Sequence, residues 1–426
     1  MPLSLPARPI DAAAFAACMA PLGPFEPAPR LALAVSGGAD SLAMAVLAQA
    51  WAAGRGGSVL ALVVDHGLRP ASAREVSLTR ERLATRGIPV HAMRLDIPPG
   101  PALSARARAA RYAALAEACA GRGIVHLLLG HHAADQAETL LIRALSASGQ
   151  AGLAGMAALR ETDRLRLLRP LLTIPPVRLR ATLRELGLDW VEDPSNADPY
   201  ALRARLRHLR ADRDGAGPAT GALAAAASAV GATRRARDEG VAAFLGASAT
   251  LRPEGFAVLR QGPVPAAALA ALIQAVSGAP FPPRSASVAA LARDPRPATL
   301  AGVRLLAAGR LGAGLLLVRE EAAIAPPVPA ETARWHGAPW DRRFRLARGA
   351  APPAGLSLGA LGDAAAGLRQ RSGLPSAVLR TLPALRREET LFAVPHLGYP
   401  DAQRCASVPL VPGPAQPAAC APFLAA

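Results

Sequence analysis

No lysine occurs anywhere in the 426 residues, so all 48 basic side chains are arginines. A Walker-type P-loop requires Gly-Lys-Ser/Thr, and any phosphate chemistry in this chain must therefore use a different loop. Aromatic residues are scarce at 4%, so the positive mean hydropathy of +0.23 reflects alanine more than a greasy interior. The longest uncharged stretches, Gly215 to Thr233 and Gln261 to Pro283, are rich in Ala, Gly and Pro. They lack the sustained Leu/Ile/Phe character of a membrane span, and no membrane partner is expected. The first residues hold scattered prolines and Asp11 but no apolar core, so no signal peptide is read there. The four cysteines, Cys18, Cys119, Cys405 and Cys420, form neither a CxxC pair nor a zinc spacing. That usage suits a reduced, cytoplasmic setting.

What is present is positive charge and a regular alternation of elements. The formal net charge is +17, which makes a polyanion, nucleic acid first, the natural partner. The length suits two or three domains. After a leader over residues 1–28, apolar runs predict strands at Leu31–Val35, Val59–Val64, Pro89–Leu95, Ile124–Leu129 and Leu165–Leu168. Helical patterns follow from about Asp40, at Ala73–Arg86, Ser104–Ala120, Ala133–Leu145 and near Val177–Leu186. Such alternation predicts an α/β fold, a doubly wound parallel sheet over residues 29–213. Ligands of such sheets collect at the carboxyl ends of the strands. The composition then predicts a smaller, alanine-rich helical middle domain over 219–325 and an α+β C-terminal domain over 333–410.

The strongest chemical signal is Ser36-Gly37-Gly38-Ala39-Asp40-Ser41, directly after the first strand and opening a helix. Two glycines let backbone N–H groups approach a polyphosphate, and the helix N-terminus attracts its charge. The hydroxyls of Ser36 and Ser41 add donors. A carboxylate beside phosphates needs an intervening cation, so Asp40 reads as the Mg²⁺-side group. This hexapeptide resembles the pyrophosphate-binding loop of the N-type ATP pyrophosphatases, which implies ATP as the cofactor.

Four further clusters follow, the first two at the same sheet rim. Asp65 and His66 follow the second strand, where they either line the nucleotide pocket or shape the turn. In Gly130-His131-His132-Ala133-Ala134-Asp135-Gln136-Ala137-Glu138-Thr139, a helical spacing puts His131, Asp135 and Glu138 on one face. That trio suits a metal or an ammonium group. Arg106, Arg108 and Arg111 precede Tyr112 on the third helix; Arg108 and Arg111 can reach ATP phosphates or an RNA backbone. Trp190-Val191-Glu192-Asp193-Pro194-Ser195-Asn196 marks a rigid turn before Arg203, Arg205, Arg207 and Arg210, and 203, 207 and 210 share a helical face suited to a phosphate track.

Taken in order, these blocks resemble the tRNA(Ile)-lysidine synthetase family over roughly the first 210 residues, with a weaker likeness from Leu382 to Tyr399. Ser104, Ala134 and Ala204 depart from the usual pattern, in which relatives often carry an acidic residue, an aspartate and an asparagine. The resemblance implies an ATP- and Mg²⁺-dependent ligase that adenylates the wobble cytidine of a tRNA(Ile) with a CAU anticodon and then joins free lysine to C2. It implies catalytic roles for Asp40, His131, Asp135, Glu138 and Arg111, ATP contacts from residues 36–41, Asp65 and His66, a lysine site at Asp135 and Glu138, and tRNA contacts from Arg108, Arg203, Arg205 and Arg207. A homodimer stays open. Two rivals stay open as well: a tRNA thiolase of the same superfamily, which calls for cysteines at the crevice, and a non-catalytic ATP- or RNA-binding module.

Overall fold

The computed structural model describes residues 7–67, 72–98, 100–162, 164–192, 202–209, 212, 215–335, 338–414, 417–419 and 423–425. The Asp193–Asn196 part of the predicted turn, and Arg210, lie outside these. The chain divides into two compact units, Met1–Ala236 with Ala421–Ala426, and Arg237–Cys420.

The first unit is built on a six-stranded sheet of β1 (Arg30–Val35), β2 (Ser58–Asp65), β3 (Val90–Arg94), β4 (His126–Leu129), β5 (Leu159–Glu161) and β6 (Arg166–Leu168), in the order β3-β2-β1-β4-β6-β5. All pairings are parallel except β5 with β6. Strand β1 reads RLALAV, and its last five residues are buried. A strand covered on both faces has no need of polar alternation. Leu31, Leu33 and Val35 enter one core with α1 (Ala12–Met19), α2 (Ala39–Ala53) and α7 (Pro176–Glu185). Ala32 and Ala34 enter the opposite core with Leu115 of α4 (Leu103–Ala120). Completing the unit are α3 (Ser72–Ala84), α5 (Ala133–Leu145), α6 (Gln150–Leu153) and α8 (Leu202–Leu209). Because β1 pairs with both β2 and β4, the chain reverses its direction of travel across the sheet there. The crevice outside the carboxyl ends of β1 and β4 is thus the switch point.

Several elements differ from expectation. Residues read as a leader are part of the domain: Asp11 caps α1, and Phe15 and Met19 lie in the core. Arg166 of β6 also donates to the carbonyls of Leu22, Gly23 and Pro24. The edge strand β5, three residues long, is too short to leave an apolar period.

Helix α9 (Pro218–Ser248) carries the chain into the second unit. The segment expected to be helical contains α10 (Ala266–Ser277) and α11 (Ser285–Arg293), but also a five-stranded antiparallel sheet of β7 (Ala249–Leu251), β8 (Ala257–Arg260), β9 (Ala298–Leu300), β10 (Val303–Ala307) and β11 (Gly314–Arg319). Alanine at strand positions masks their alternation in the sequence. In β11, Leu317 joins the core beneath α10 while Leu316 and Val318 face a second core that includes Leu379 and Leu382. The predicted middle and C-terminal segments therefore share a core within one unit. A four-stranded and a two-stranded sheet complete it.

Candidate functional site

The loop after β1 is drawn taut by its own side chains. Ser36 N–H donates to Ser41 Oγ at 3.1 Å, and the Ser41 hydroxyl donates to the Gly38 carbonyl at 3.1 Å. Gly37 has φ +87°, and a Cβ there would meet Thr79 Oγ1 at 2.4 Å. Only glycine fits both the backbone and the space. The Gly37 carbonyl accepts Val191 N–H at 2.9 Å. Thr79 from α3 and Val191, the residue before Glu192, thus brace the loop from outside its motif. Gly38 caps α2, leaving the first-turn N–H groups of that helix for a ligand.

Gly130 explains how β4 reaches this loop. A Cβ on it would stand 3.0 Å from Ser41 Cα, so its absence lets the following histidines press against the start of α2. His132, not His131, is the histidine between the acids. Its Nε2 lies 3.4 Å from Asp40 Oδ2, and its Nδ1 lies 3.5 Å from Asp135 Oδ2. It is also the N-cap of α5, accepting Asp135 N–H while Asp135 accepts its own N–H. Helix α5 therefore begins after both histidines, and His131 does not share a helical face with Asp135 and Glu138. Burial pushes the His132 pKa down, but the charges of Asp135, Asp40 and Glu138 outweigh it and hold it above the usual value. Acting as acceptor for Asp135 N–H requires a bare Nδ1, which places the neutral ring's proton on Nε2, facing Asp40.

The two acidic residues of α5 are already engaged. Glu138 is fully buried, and its Oε1 accepts Arg207 Nε at 2.6 Å. Arg203 stands 3.6 Å from Asp135 Oδ1 and 4.0 Å from Glu138 Oε2. Both arginines come from α8, and they point at the acids and not outward along a phosphate track. Arg205 is exposed. Gln136 exchanges two hydrogen bonds with the backbone of Met156 and fastens α5 in place.

The opposite wall of the crevice is basic. Arg111 and Arg108 project from the first half of α4, and Arg108 lies 5.2 Å from the centre of the Tyr112 ring. Burial, then the neighbouring charges of Arg169, Arg108 and Arg111, pushes His131 down to about 4 against the pull of Asp135. Its Nδ1 is buried without a partner. His66 is lowered by burial and by Arg111. Asp65 turns away: its Oδ1 accepts Gly67 N–H at 2.8 Å, so it shapes the strand-end turn. Arg106 donates to the Pro98 carbonyl and leaves the crevice. His132, Thr79, Val191 and Arg169 carry no expected role from the sequence; His132 and Val191 sit inside motifs, and for His132 the capping rule alone would supply one.

A cation beside Asp40 passes the test of the residues present. Asp40 Oδ1 is buried with no hydrogen-bond partner, and Mg²⁺ needs only one or two protein carboxylates when substrate phosphates complete its shell.

A parallel strand, a glycine loop and a helix N-terminus at the switch point define a PP-loop domain, and the PP-loop domain family matches residues 10–211. The chain is 44% identical over 189 residues to a tRNA(Ile)-lysidine synthase of Bradyrhizobium sp., covering 44% of this chain and 53% of that protein. It is 39% identical over 291 residues to a tRNA(Ile)-lysidine synthase of Hyphomonas neptunium, covering 65% of this chain and 78% of that one. The chain belongs to the tRNA(Ile)-lysidine synthase family. The match spans about half the length of the Bradyrhizobium and Rhodopseudomonas palustris relatives, 53% and 54%.

Proposed function

We propose that this protein uses ATP to adenylate the wobble cytidine of a CAU-anticodon tRNA(Ile) and then joins lysine to C2. The observation that carries this reading is the meeting of loop and acidic helix at His132, 3.4 Å from Asp40 and 3.5 Å from Asp135. In the first step the cytosine O2 attacks the α-phosphorus and pyrophosphate leaves onto the loop amides. In the second the lysine ε-amine forms a bond to C2, the C2–O2 bond breaks, and AMP departs with that oxygen. Adenylation is needed because a neutral cytosine offers no leaving group at C2.

Asp40, through its free Oδ1, would hold Mg²⁺, which would neutralise charge on the phosphates. Asp135 and Glu138 present the charge that a lysine ammonium requires. Arg203 and Arg207 fill that role in its absence, keeping two buried carboxylates from standing unpaired. The incoming ammonium must lose a proton before it attacks. His132, with its raised pKa and neutral Nδ1, is the group on the rim matched to receive it. The wobble base leaves its stack cheaply because it sits in a single-stranded loop. A net charge of +17 supplies attraction for the tRNA body. Arg205, exposed on α8, and Arg108, exposed on α4, are available as the predicted tRNA contacts.

A thiolase needs thiols at the crevice. Among the described residues, Cys18 lies within α1 and Cys119 near the far end of α4. No helix among the described residues is long and apolar enough to cross a membrane. The test is incubation with ATP, labelled lysine and unmodified tRNA(Ile). Label entering RNA only with a CAU anticodon supports the reading; ATP binding without transfer supports the non-catalytic module instead.

A further inference from the structure

Arg169 belongs to none of the motifs that identify the site, yet among the described residues it is the most deeply buried arginine of the first unit. It follows β6 at the carboxyl rim and is only 7% exposed. Its Nη1 donates to the Ala157 carbonyl at 2.8 Å, while its Nε is buried with no partner. The neighbours that act most strongly on its charge are Tyr112, Arg160 and Arg108, none of them a carboxylate. A buried guanidinium normally stands against a carboxylate, since an unpaired buried charge is costly. Here the partners are a phenol and other arginines. Arg169 also acts on His131, whose ring the two α4 arginines help keep neutral. Tyr112 connects the group: it contacts Arg169 and receives Arg108 Nη2 at 3.5 Å.

We propose that Arg169 is a positioning residue of a phosphate site on the α4 wall, where it and Tyr112 hold Arg108 and Arg111 toward one phosphate ester group. Three guanidinium groups gathered around a neutral imidazole, with an idle N–H among them, lack one partner: a compact anion. Phosphate suits them because its oxygens accept forked donors. This site is separate from the glycine loop, which is made for pyrophosphate. The proposal rests on the adenylating reading of the crevice for its ligand class: the phosphate comes either from the nucleotide's α-position or from the RNA backbone beside the target base.

The test is calorimetry on the full chain with three probes: AMP, inorganic pyrophosphate, and an anticodon stem-loop RNA. In Arg169→Gln, loss of a charge-assisted donor weakens the ligand that uses the site by about tenfold or more, with pyrophosphate within about twofold of wild type because the loop is untouched. Weakened AMP with intact RNA binding identifies the α-phosphate; the reverse identifies the backbone phosphate. Arg169→Lys restores part of the loss. Tyr112→Phe, which keeps the packing, gives a smaller loss in the same ligand and serves if Arg169→Gln does not fold. AMP and RNA affinities unchanged in both Arg169→Gln and Tyr112→Phe overturn the proposal. So does an equal weakening of all three probes that Arg169→Lys fails to relieve, since that marks a merely structural arginine. If the wild type transfers no lysine but its AMP or RNA affinity still depends on Arg169, the functional reading fails and the phosphate site stands.

Discussion

Among the described residues, two buried clusters join carboxylates to arginines, one in each unit, and they are built to opposite ends. In the C-terminal unit Asp341 accepts Arg319 Nε at 3.0 Å, Arg319 Nη2 at 3.1 Å, Arg343 Nε at 2.8 Å and Ala325 N–H at 3.0 Å. Its three side chains are 2%, 11% and 3% exposed. The cluster pins a turn in which Asp341 and Arg342 take φ of 48° and 57°, a conformation that persists only where surroundings enforce it. In the N-terminal unit Glu138 is equally buried, but Arg203 and Arg207 are 45% and 34% exposed. The arginines there can be withdrawn to solvent without moving the acids. A closed cluster holds a fold, whereas one whose cations reach the surface can exchange them for a substrate cation.

The largest expected difference is catalytic. Asp40→Asn, which keeps size but removes the charge proposed to face phosphate and metal, is expected to cut adenylation by about a thousandfold, read as labelled AMP on RNA, with the melting temperature nearly unchanged. No such loss is expected from any change at Asp341 in a folded sample. Next comes stability. Asp341→Ala strands two buried guanidinium groups and is expected to cost about 3–5 kcal/mol, seen as faster amide exchange in β10 and β11 but not in β1 and β2. Arg207→Ala removes the 2.6 Å partner of the buried Glu138 but is expected to cost less, about 1–3 kcal/mol, because the arginine head is partly solvated and Arg203 remains. A loss matching that of Asp341→Ala would erase the contrast between the clusters. Arg207→Ala should also lower the KM for lysine by about two- to fivefold, the worth of a weak ion pair displaced by the substrate; a raised KM would mean that the arginine helps bind lysine.

The smallest effect is a pair of titrations. Histidine NMR is expected to show His131 titrating near 4 and His132 above the ordinary histidine range. On acidification, the unfolded chain protonates His131 first, so its contribution to stability falls as pH drops from about 6.5 toward 4. His132 works the other way: its contribution is complete below about 6.5 and fades as pH rises through its elevated native value. Parallel shifts of both rings would contradict the division of the crevice into an acidic and a basic wall.

Much of this site is legible in the sequence because its elements are local. The strand, glycine turn and helix of residues 30–53 declare themselves within a short window, and so does the position of Asp135 and Glu138 on α5. What stays hidden depends on distant contacts. Nothing near Arg207 in the chain shows that it turns to Glu138, and Thr79 guards Gly37 from 42 residues away. His131 stays off the helical face for a local reason: the His132 ring caps α5, so the helical period starts only at Ala133. The antiparallel sheet in the second unit is hidden in the sequence because alanine suits a helix and is tolerated in strands, so composition outweighs a weak alternation.

The most direct test omits lysine. With ATP labelled at the α-phosphate, wild-type protein and unmodified CAU-anticodon tRNA(Ile), the account predicts labelled AMP bound covalently to the RNA and released as free AMP once lysine is added. Lysine incorporation that proceeds without any RNA-linked AMP, in rapidly quenched samples, would contradict it.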